Sequence, residues 1–467
     1  MPLILKSWVK IPNNKPYLCR FESICPLTKQ HIHLIAIGGA AMHNIALDLN
    51  AQGHIVTGSD DEIYEPSLSR LQKAGIAPKQ FGWFPDKITS DTDIVILGMH
   101  AKADNPELKK AQDLGITVYS YPEFVYQHSK NKKRIVIAGS HGKTTTTAMI
   151  LHVLNHLGMD FDYLVGAQLH GFDRMVKLSD APLIVIEGDE YLSSTINRVP
   201  KIHHYKPHVA VVTGIAWDHI NVFPTFDNYK DQFRIFADTM PEGSTLIYYE
   251  NDENLVEIIK NSKGKTTIPY GALPLTADKK VSFDGISFPI SIIGNHNLQN
   301  MNAARLVCNT LGIEDERFFD AISDFTGANK RLQKISDSGD RVVYLDFAHA
   351  PSKVMATTES FKTWFGDKRL VAVLELHTFS SLNKDFITQY IGSLDPADEA
   401  IIFYNAHTLK MKNMPDLDHN FLNQCFSHPH LQVFTDEAAL HTYLNTKSKD
   451  NILLMTSGNF NQMALDF

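Results

Sequence analysis

A phosphate-binding loop is the clearest chemical feature of the sequence. Residues 139–146 read Gly-Ser-His-Gly-Lys-Thr-Thr-Thr, between an apolar run and a helical pattern. Glycines let backbone N–H groups approach phosphate oxygens, and the start of a helix favours an anion. The pattern predicts that Lys143 neutralises nucleotide phosphates and that the Thr144 hydroxyl ligates Mg²⁺. The predicted nucleotide contacts are Gly139, His141, Gly142, Lys143, Thr144 and Thr145.

The loop has the shorter Gly-x-x-Gly-Lys-Thr form. The general phosphate-loop pattern places a glycine five residues before Gly142, and that position is Ile137. A Gly-Lys-Thr turn also occurs by chance in unrelated proteins. Its position after an apolar strand and before a helix nevertheless indicates nucleotide binding.

Acidic residues and a histidine follow two further predicted strands. Residues 184–190 read Ile-Val-Ile-Glu-Gly-Asp-Glu, and Glu187 is the expected contact to Mg²⁺, although such a run can also be an exposed acidic turn. Residues 213–219 end in Asp218 and His219. A neutral His219 could ligate a second metal ion while Asp218 orients its ring, although a lone histidine is more often structural. The nearby phosphate loop favours the functional interpretation of both segments.

Polar side chains also crowd the start of a later helix. Residues 294–304 read Gly-Asn-His-Asn-Leu-Gln-Asn-Met-Asn-Ala-Ala. Capping the helix requires only one of these polar residues. The excess indicates contacts to a ligand, to a base or a sugar, with Asn297 as the candidate.

The elements that position these residues are predicted to alternate between strands and helices. Three times, starting near residues 33, 134 and 342, a β-branched run is followed by a turn of Gly, Ser, Thr or His. This alternation predicts an α/β fold with parallel sheets, in which ligands bind at the carboxyl ends of the strands. Strands are expected at residues 33–37, 55–60, 91–98, 117–119, 134–138, 183–186, 209–213, 342–345, 370–374, 400–403 and 452–455.

Polar stretches at residues 129–133 and 330–340 mark the expected domain boundaries. The sequence therefore predicts an N-terminal extension over residues 1–30 and three domains. The expected domain ranges are residues 31–130, 131–330 and 331–467.

Composition excludes several classes of protein. The chain has 467 residues, of which 43% are hydrophobic and 21% charged, and its net charge is −8. An acidic chain without a basic block is not expected to bind nucleic acid. No apolar stretch approaches the ~20 residues of a membrane helix, and residues 1–30 lack the apolar run of a signal peptide. Four cysteines without a Cys-x-x-Cys pair are expected to be reduced thiols, which predicts a cytoplasmic protein.

In this order, the motifs resemble those of the Mur ligase family of peptidoglycan precursor synthesis. The resemblance begins near residue 31 and reaches the C-terminus. After the polar helix start it continues with Phe-Thr-Gly at residues 325–327, Asp-Phe-Ala-His-Ala-Pro at 346–351 and His-Thr-Phe-Ser at 377–380. It implies a three-domain Mur ligase architecture, with a Rossmann-like N-terminal domain, a central P-loop ATPase domain and a Rossmann-like C-terminal domain.

The N-terminal domain is expected, from this resemblance, to bind a UDP-sugar. Its pyrophosphate would lie near Gly38 and Gly39, its nucleoside near Ser59 and Asp60, and its sugar near Asn105.

The resemblance also implies that the C-terminal domain closes over the site and helps to hold the incoming amine. Arg331 and Asp346 are expected to contact ATP. His349 is a candidate contact to the nucleotide, and His377 to the acceptor.

The implied reaction is ATP-dependent joining of a carboxylate to an amine through an acyl-phosphate, with release of ADP. A carboxylate and a γ-phosphate are both anions, so charge neutralisation is the main catalytic task. Lys143, Glu187 and His219 are the expected catalytic residues, and Mg²⁺ is expected at Thr144, Glu187 and His219.

Residues 56–60, 64–66, 204–207 and 218–223 resemble one branch of the family in particular. This branch joins UDP-N-acetylmuramate to the tripeptide L-alanyl-γ-D-glutamyl-meso-diaminopimelate in peptidoglycan recycling. The alternatives are a ligase that adds L-alanine to the same sugar nucleotide, a catalytically degenerate nucleotide-binding paralogue, and a P-loop kinase or NTPase. The expected partners are small-molecule substrates without nucleic acid or membrane, and the expected state is a monomer or a weak homodimer.

Four positions depart from the pattern of the family. Ala41 stands where relatives have a further glycine, and Leu192 stands where an aspartate is usual. Ala350 occupies a position where relatives often have a second histidine, and Ser381 one where an arginine is common. The changes at Leu192 and Ser381 affect acceptor recognition most.

Overall fold

The computed structural model describes residues 29–169, 171–217, 222–260, 262–327, 331–412 and 414–466. The predicted extension, apart from its last two residues, and the predicted site residues Asp218 and His219 lie outside these ranges. Among the described residues, no helix is both long enough and apolar enough to cross a bilayer.

The first sheet has four parallel strands in the order β2-β1-β3-β4. Its strand β3, Ile-Val-Ile-Leu, is a continuous apolar run, as expected for a strand that is covered on both faces. Asn105 caps α3 through its side-chain oxygen, and the Glu123 carboxylate in the first turn of α4 accepts a 2.8 Å hydrogen bond from the Ser120 N–H. The elements of this unit are β1 (His31–Ile35), α1 (Ala40–Ala51), β2 (Ile55–Ser59), α2 (Ser67–Lys73), β3 (Ile94–Leu97), α3 (Pro106–Asp113), β4 (Thr117–Ser120) and α4 (Tyr121–Ser129).

The second sheet has seven strands in the order β11-β10-β9-β5-β8-β6-β7, and the β6–β7 pair is antiparallel. The helices α5 and α9 pack against each other on one face. The strands are β5 (Lys133–Ala138), β6 (Asp162–Leu164), β7 (Val176–Lys177), β8 (Leu183–Glu187), β9 (Val209–Val212), β10 (Thr245–Tyr249) and β11 (Thr266–Tyr270), followed by a hairpin of β12 (Val281–Phe283) and β13 (Ile286–Phe288). The helices are α5 (Lys143–His156), α6 (Ile202–Tyr205), α7 (Phe226–Thr239), α8 (Glu253–Lys260), α9 (Asn295–Thr310) and α10 (Asp315–Ile322).

The third sheet has six strands in the order β14-β15-β19-β16-β17-β18, and only its β14–β15 pair is antiparallel among the described strands. The strands are β14 (Gln333–Asp337), β15 (Val342–Asp346), β16 (Leu370–Glu375), β17 (Glu399–Phe403), β18 (Leu431–Phe434) and β19 (Asn451–Met455). The helices are α11 (Pro351–Phe365), α12 (Lys384–Ile387), α13 (Ala406–Met411), α14 (His419–Phe426) and α15 (Glu437–Asn445).

The first two units share one hydrophobic core. A single cluster of buried side chains contains Ile45 and Phe124 from the first unit and Val136 and Ile186 from the second. Polar contacts join the same faces: the Asp48 carboxylate lies 2.8 Å from the Arg174 guanidinium and accepts a 2.8 Å hydrogen bond from the Leu178 N–H. Apolar packing and paired polar groups therefore hold these two units together.

The third unit meets the second through a smaller set of contacts. The His296 imidazole and the Ser360 hydroxyl are 3.1 Å apart, and Lys279 donates a 2.8 Å hydrogen bond to the Trp364 carbonyl. Ile293 of the second unit packs into the core of the third.

The predicted α/β architecture is confirmed, and each predicted strand is present within one to three residues of its expected limits. Eight strands of the structure were not predicted from the sequence: β6, β7, β10, β11, β12, β13, β14 and β18. The exact domain boundaries stay predictions.

Candidate active site

The phosphate loop connects β5 to α5 in a conformation that depends on its two glycines. Gly139 has φ 118° and Gly142 has φ 79°, in the left-handed region that favours glycine. A Cβ atom at Gly142 would collide with the Asn300 side chain, and one at Gly139 would collide with Thr213. Gly142 is also the N-cap residue of α5 and makes no side-chain cap. The loop therefore presents backbone at a helix N-terminus, which suits a phosphate group.

Lys143 is held by carbonyl and carboxylate oxygens at the base of the loop. Its ammonium group lies 2.6 Å from the Gly139 carbonyl and 2.9 Å from a Glu190 carboxylate oxygen. Burial opposes the charge on Lys143, but attraction by Glu190, Asp189 and Glu187 outweighs it and raises the pKa. Lys143 is therefore a permanent cation at the predicted phosphate site.

A hydroxyl and a carboxylate meet beside this lysine. Thr144 Oγ1 donates a 2.7 Å hydrogen bond to Glu187 Oε1, and the Gly166 N–H donates a 2.8 Å hydrogen bond to Glu187 Oε2. The Thr144 hydroxyl and the Glu187 carboxylate are both hard oxygen ligands, the type that Mg²⁺ prefers. Neighbouring ligands of an octahedral Mg²⁺ lie about 2.9 Å apart. The pair fits the predicted metal site, whose third predicted ligand, His219, lies outside the described residues.

A hydrogen-bonded network ties the phosphate loop to the segment after β9. The Tyr229 hydroxyl donates to Glu190 at 2.9 Å and lies 3.1 Å from the Ser140 hydroxyl. Ser140 in turn donates to the Ala216 carbonyl at 2.8 Å, and its oxygen accepts from the Ala216 N–H at 2.8 Å. The residues just before Asp218 are thereby fixed against the phosphate loop.

The phosphate loop opens into a cavity of about 410 Å³ at the carboxyl ends of β5, β8, β9 and β10. Parallel sheets bind their ligands at this edge. The third unit contributes to the same cavity through Arg331 and Asp346. The predicted nucleotide residues that line it are His141, Gly142, Lys143, Thr144, Thr145, Asn297, Arg331 and Asp346, with Glu187 beside them.

Asp346 organises the connection between the second and third units. One carboxylate oxygen accepts a 2.7 Å hydrogen bond from the Leu332 N–H and the other a 2.7 Å bond from the Ala348 N–H. The Arg331 guanidinium lies 4.7 Å from the centre of the Phe347 ring. Asp346 thus fixes the backbone beside Arg331, in addition to lining the cavity.

The two remaining histidine candidates lie elsewhere in the third unit. His349 is not among the described residues that line the cavity, and its Nδ1 is 2.8 Å from the Phe347 carbonyl. His377 follows β16, with Nδ1 3.8 Å from a Glu375 carboxylate oxygen, and its side chain is 39% exposed. Their roles toward nucleotide and acceptor stay predictions.

The predicted UDP-sugar residues cluster around the first glycine turn. The Gly38 N–H donates a 2.7 Å hydrogen bond to the Asp60 carboxylate, and Lys87 donates a 2.9 Å bond to the Ser59 hydroxyl. Burial raises the pKa of Asp60 to about 6. Gly39 is the N-cap of α1, so this turn also presents a helix N-terminus.

Asn105 has a structural function that was not predicted from the sequence. Its side-chain oxygen accepts hydrogen bonds from the Glu107 N–H at 2.9 Å and the Leu108 N–H at 3.1 Å, which caps α3. A contact from Asn105 to the sugar stays a prediction, and it would have to come from the amide nitrogen.

The four positions that depart from the family pattern are all accommodated. Ala41 lies in the first turn of α1, and Leu192 pairs as an isolated bridge with Pro200. Ala350 is the N-cap of α11. Ser381 is buried, and its hydroxyl accepts a 2.9 Å hydrogen bond from the Thr378 N–H.

Several residues of the site were missed from the sequence. Glu190 was part of the predicted acidic run, but nothing in the run distinguished the buried partner of Lys143. Asn300 belongs to the polar helix start and packs against Gly142. Tyr249 and Asp252 line the cavity at the end of β10, a strand that was not predicted. An acid just after a strand end was the available signal for Asp252.

A phosphate loop, a hydroxyl–carboxylate pair and a second domain beside them meet the requirements of an ATP-dependent, ADP-forming amide ligase, and the family matches place the chain in this class. The chain belongs to the Mur ligase family. Three family profiles match it in order: "Mur ligase family, catalytic domain" over residues 31–133, "Mur ligase middle domain" over 137–308 and "Mur ligase, glutamate ligase domain" over 330–460.

Relatives from two branches of the family resemble the chain. The UDP-N-acetylmuramate–L-alanine ligase of Caldicellulosiruptor saccharolyticus is 32% identical over 386 residues, which cover 79% of this chain and 82% of that protein. The UDP-N-acetylmuramate–L-alanyl-γ-D-glutamyl-meso-2,6-diaminoheptandioate ligase of Escherichia coli K12 is 26% identical over 446 residues, which cover 92% of this chain and 95% of that protein. The crystal structure of a murein peptide ligase from Psychrobacter arcticus superposes with a TM-score of 0.63 at 25% sequence identity. The superposition covers 93% of this chain and 97% of that one.

Proposed function

We propose that this enzyme joins UDP-N-acetylmuramate to the tripeptide L-alanyl-γ-D-glutamyl-meso-diaminopimelate in the cytoplasm, with ATP and Mg²⁺, as a murein peptide ligase. The observation that carries the proposal is the cavity in which Lys143 and the Thr144–Glu187 pair lie under Arg331 and Asp346. The enzyme acts on small molecules and works as a monomer or a weak homodimer.

The residues present divide the work of neutralising and enclosing the reacting anions. ATP supplies the phosphoryl group, and Thr144, Glu187 and His219 would hold Mg²⁺. Lys143 offsets the negative charge that accumulates when a carboxylate approaches a phosphate. Arg331, beside the backbone that Asp346 fixes, adds a second positive charge to the lining of the cavity.

The proposed reaction has two steps, transfer of a phosphoryl group and then formation of an amide. A carboxylate oxygen of the sugar nucleotide bonds to the γ-phosphorus as the bond to ADP breaks. The amine nitrogen of the acceptor then bonds to the acyl carbon, and phosphate and a proton leave. Because water would hydrolyse the acyl-phosphate, the contact between the second and third domains serves to exclude water.

The choice of a peptide acceptor is supported by the surface at the end of β16. Ser381 is buried and bonded to Thr378, so this position offers no cation for the carboxylate of a small acceptor. The nearby Phe379 side chain is 63% exposed, and the Lys412 ammonium lies 4.9 Å from its ring centre. An open surface with an exposed ring and a lysine suits an extended peptide better than a single amino acid.

The second candidate is a ligase that adds L-alanine to UDP-N-acetylmuramate. The 32% identity to the alanine ligase of Caldicellulosiruptor saccharolyticus favours it. The nucleotide and metal sites serve both candidates equally, and they differ only in the acceptor.

The deciding experiment measures ATP-dependent phosphate release with UDP-N-acetylmuramate and either the tripeptide or L-alanine. Release with the tripeptide alone supports the proposal. Release with L-alanine alone supports the second candidate. No phosphate release with either acceptor, while ATP still binds, would indicate a different acceptor or the degenerate paralogue. The Lys143→Ala variant provides the blank for contaminating ATPases.

A further inference from the structure

Two imidazoles and a carboxylate converge at the end of α5 that is remote from the phosphate loop. His152 and His156 are four residues apart, so they share one face of the helix. Their ligand nitrogens and a carboxylate oxygen of Asp324 all lie within 4.8 Å of one another. As far as the structure describes the chain, the lining of the active-site cavity includes none of the three. We refer to these residues as the His-His-Asp cluster.

Neighbouring groups hold the central imidazole of the cluster in place. His152 Nε2 lies 2.8 Å from Asp324 Oδ1 and 3.0 Å from the Ala321 carbonyl oxygen. The Phe325 ring packs edge-on against the His152 ring, with centroids 5.3 Å apart. The His152 and His156 rings are 6.4 Å apart. These contacts fix the position of the His152 ring. Because the Ala321 carbonyl accepts at Nε2, this nitrogen carries a proton, which an ion bound at Nε2 would replace. His156 and Asp324 are exposed to solvent.

Two helices end at this cluster, and both favour a cation there. His152 and His156 lie in the last turn and a half of α5, and Ala321 lies in the last turn of α10. The carboxyl end of a helix carries a partial negative charge from its unpaired carbonyl groups. The Asp324 carboxylate adds a full negative charge, so the helix ends and the side chains attract the same kind of ion.

The ligand types select the metal. Imidazole nitrogens and one carboxylate suit Zn²⁺ and its neighbours Co²⁺ and Ni²⁺, whereas Mg²⁺ prefers oxygen ligands alone. We propose that the His-His-Asp cluster binds a divalent transition-metal ion of the zinc type, separately from the Mg²⁺ site. Three protein ligands leave the fourth position of a tetrahedral ion to water.

An ion bound at the His-His-Asp cluster would connect two segments of the chain that lie far from the phosphate loop. Thr144 and His152 are eight residues apart on α5, or about 12 Å along its axis. Asp324 lies on the segment that leads to Arg331 and into the third domain. A bound ion would cross-link the phosphate-loop helix to this segment at a distance from the chemistry.

The test is zinc binding by the full-length protein, measured by isothermal titration calorimetry in excess Mg²⁺, which keeps the oxygen site filled. The wild type should bind one more Zn²⁺ than the His156→Ala and Asp324→Asn variants, or bind it at least about tenfold more tightly. Both altered side chains are exposed, and circular dichroism checks that the variants fold. His441→Ala is the matched control, because His441 Nε2 lies 3.0 Å from Asp466 in another exposed histidine–aspartate pair.

Cobalt provides a second readout that does not depend on activity. Co²⁺ added to the wild type should give visible absorption bands, and His156→Ala should lose them while His441→Ala keeps them. Equal stoichiometry and affinity in the wild type and His156→Ala would overturn the proposal and leave the cluster as a hydrogen-bonded pair with a neighbouring histidine. Displacement of the bound ion by Mg²⁺ at similar concentration would overturn it as well.

Discussion

Removing the charge of Lys143 is the sharpest test of the active site. The ammonium group lies at the base of the phosphate loop, where a phosphate oxygen would approach to about 4 Å, and a pair of unit charges at that distance is worth about 4 kcal/mol at an effective dielectric constant of 20. A change of 1.36 kcal/mol in a barrier is tenfold in rate, so Lys143→Ala should lower kcat/KM by about 10³.

The same variant should retain its sugar nucleotide. Gly38 and Asp60 follow strands of the first sheet, in a different unit from the phosphate loop, so the Kd for UDP-N-acetylmuramate should stay within about twofold of the wild type. Calorimetry measures this binding, and coupled phosphate release measures turnover. The two assays together separate loss of chemistry from loss of fold.

One side effect of the substitution needs its own control. Glu190 is 1% exposed, and Lys143→Ala leaves its carboxylate buried without this cation. The double variant Lys143→Met, Glu190→Gln removes both charges and should be as inactive as the single variant. Lys230→Ala, which removes a partly exposed ion pair in the same domain, should be fully active. Turnover above about a tenth of the wild-type rate in either Lys143 variant would refute the assigned role, because the charge argument predicts a far larger loss.

Three further predictions concern the metal, the domain junction and pH. Glu187→Gln should raise the Mg²⁺ concentration for half-maximal rate by about tenfold or more. Glu257→Gln, which alters an exposed carboxylate, should leave this concentration unchanged. If both variants required the same Mg²⁺ concentration as the wild type, Glu187 would not be a metal ligand. Arg331→Ala should raise the KM for ATP about tenfold through loss of a charged contact, with the exposed Arg317→Ala as control, and steady-state kinetics over ATP concentration decide this. Burial raises the pKa of Asp60 to about 6, so the folded chain keeps a proton that the unfolded chain releases, and stability should fall as the pH rises from about 4 to 6. The free energy of unfolding of the wild type should fall by about 3 kcal/mol more than that of Asp60→Asn over this pH range. If the apparent melting temperatures of the two proteins changed in parallel with pH, the prediction would be contradicted.

The sequence predicted the parts of the site whose chemistry fixes residue type and spacing. A phosphate loop needs glycines, a lysine and a hydroxyl in one short segment, so Lys143 and Thr144 could be found without a structure. Glu187 followed from its position at a strand end, and it does meet Thr144.

Residues that act through tertiary contacts could not be assigned in the same way. Tyr229 reaches Glu190 from a helix 39 positions later in the chain, and no local pattern marks that contact. The strands β6 and β7 have only three and two residues, too short for a periodic signal. Asn105 is different, because Pro106 directly after it is a helix-start signal that predicts a cap.

The common core of the first two domains has a consequence for engineering by recombination. Exchanging residues 31–130 with those of a relative would set a foreign surface against Val136 and Ile186 and would break the Asp48–Arg174 pair. The third domain shares fewer side chains with its neighbour, so a crossover near residue 331 disturbs less packing. We expect chimeras of this protein to tolerate a transplanted acceptor domain far better than a transplanted sugar-nucleotide domain. With acceptor binding assigned to the third domain, as proposed, acceptor choice is the property that we expect to be most easily exchanged as a module.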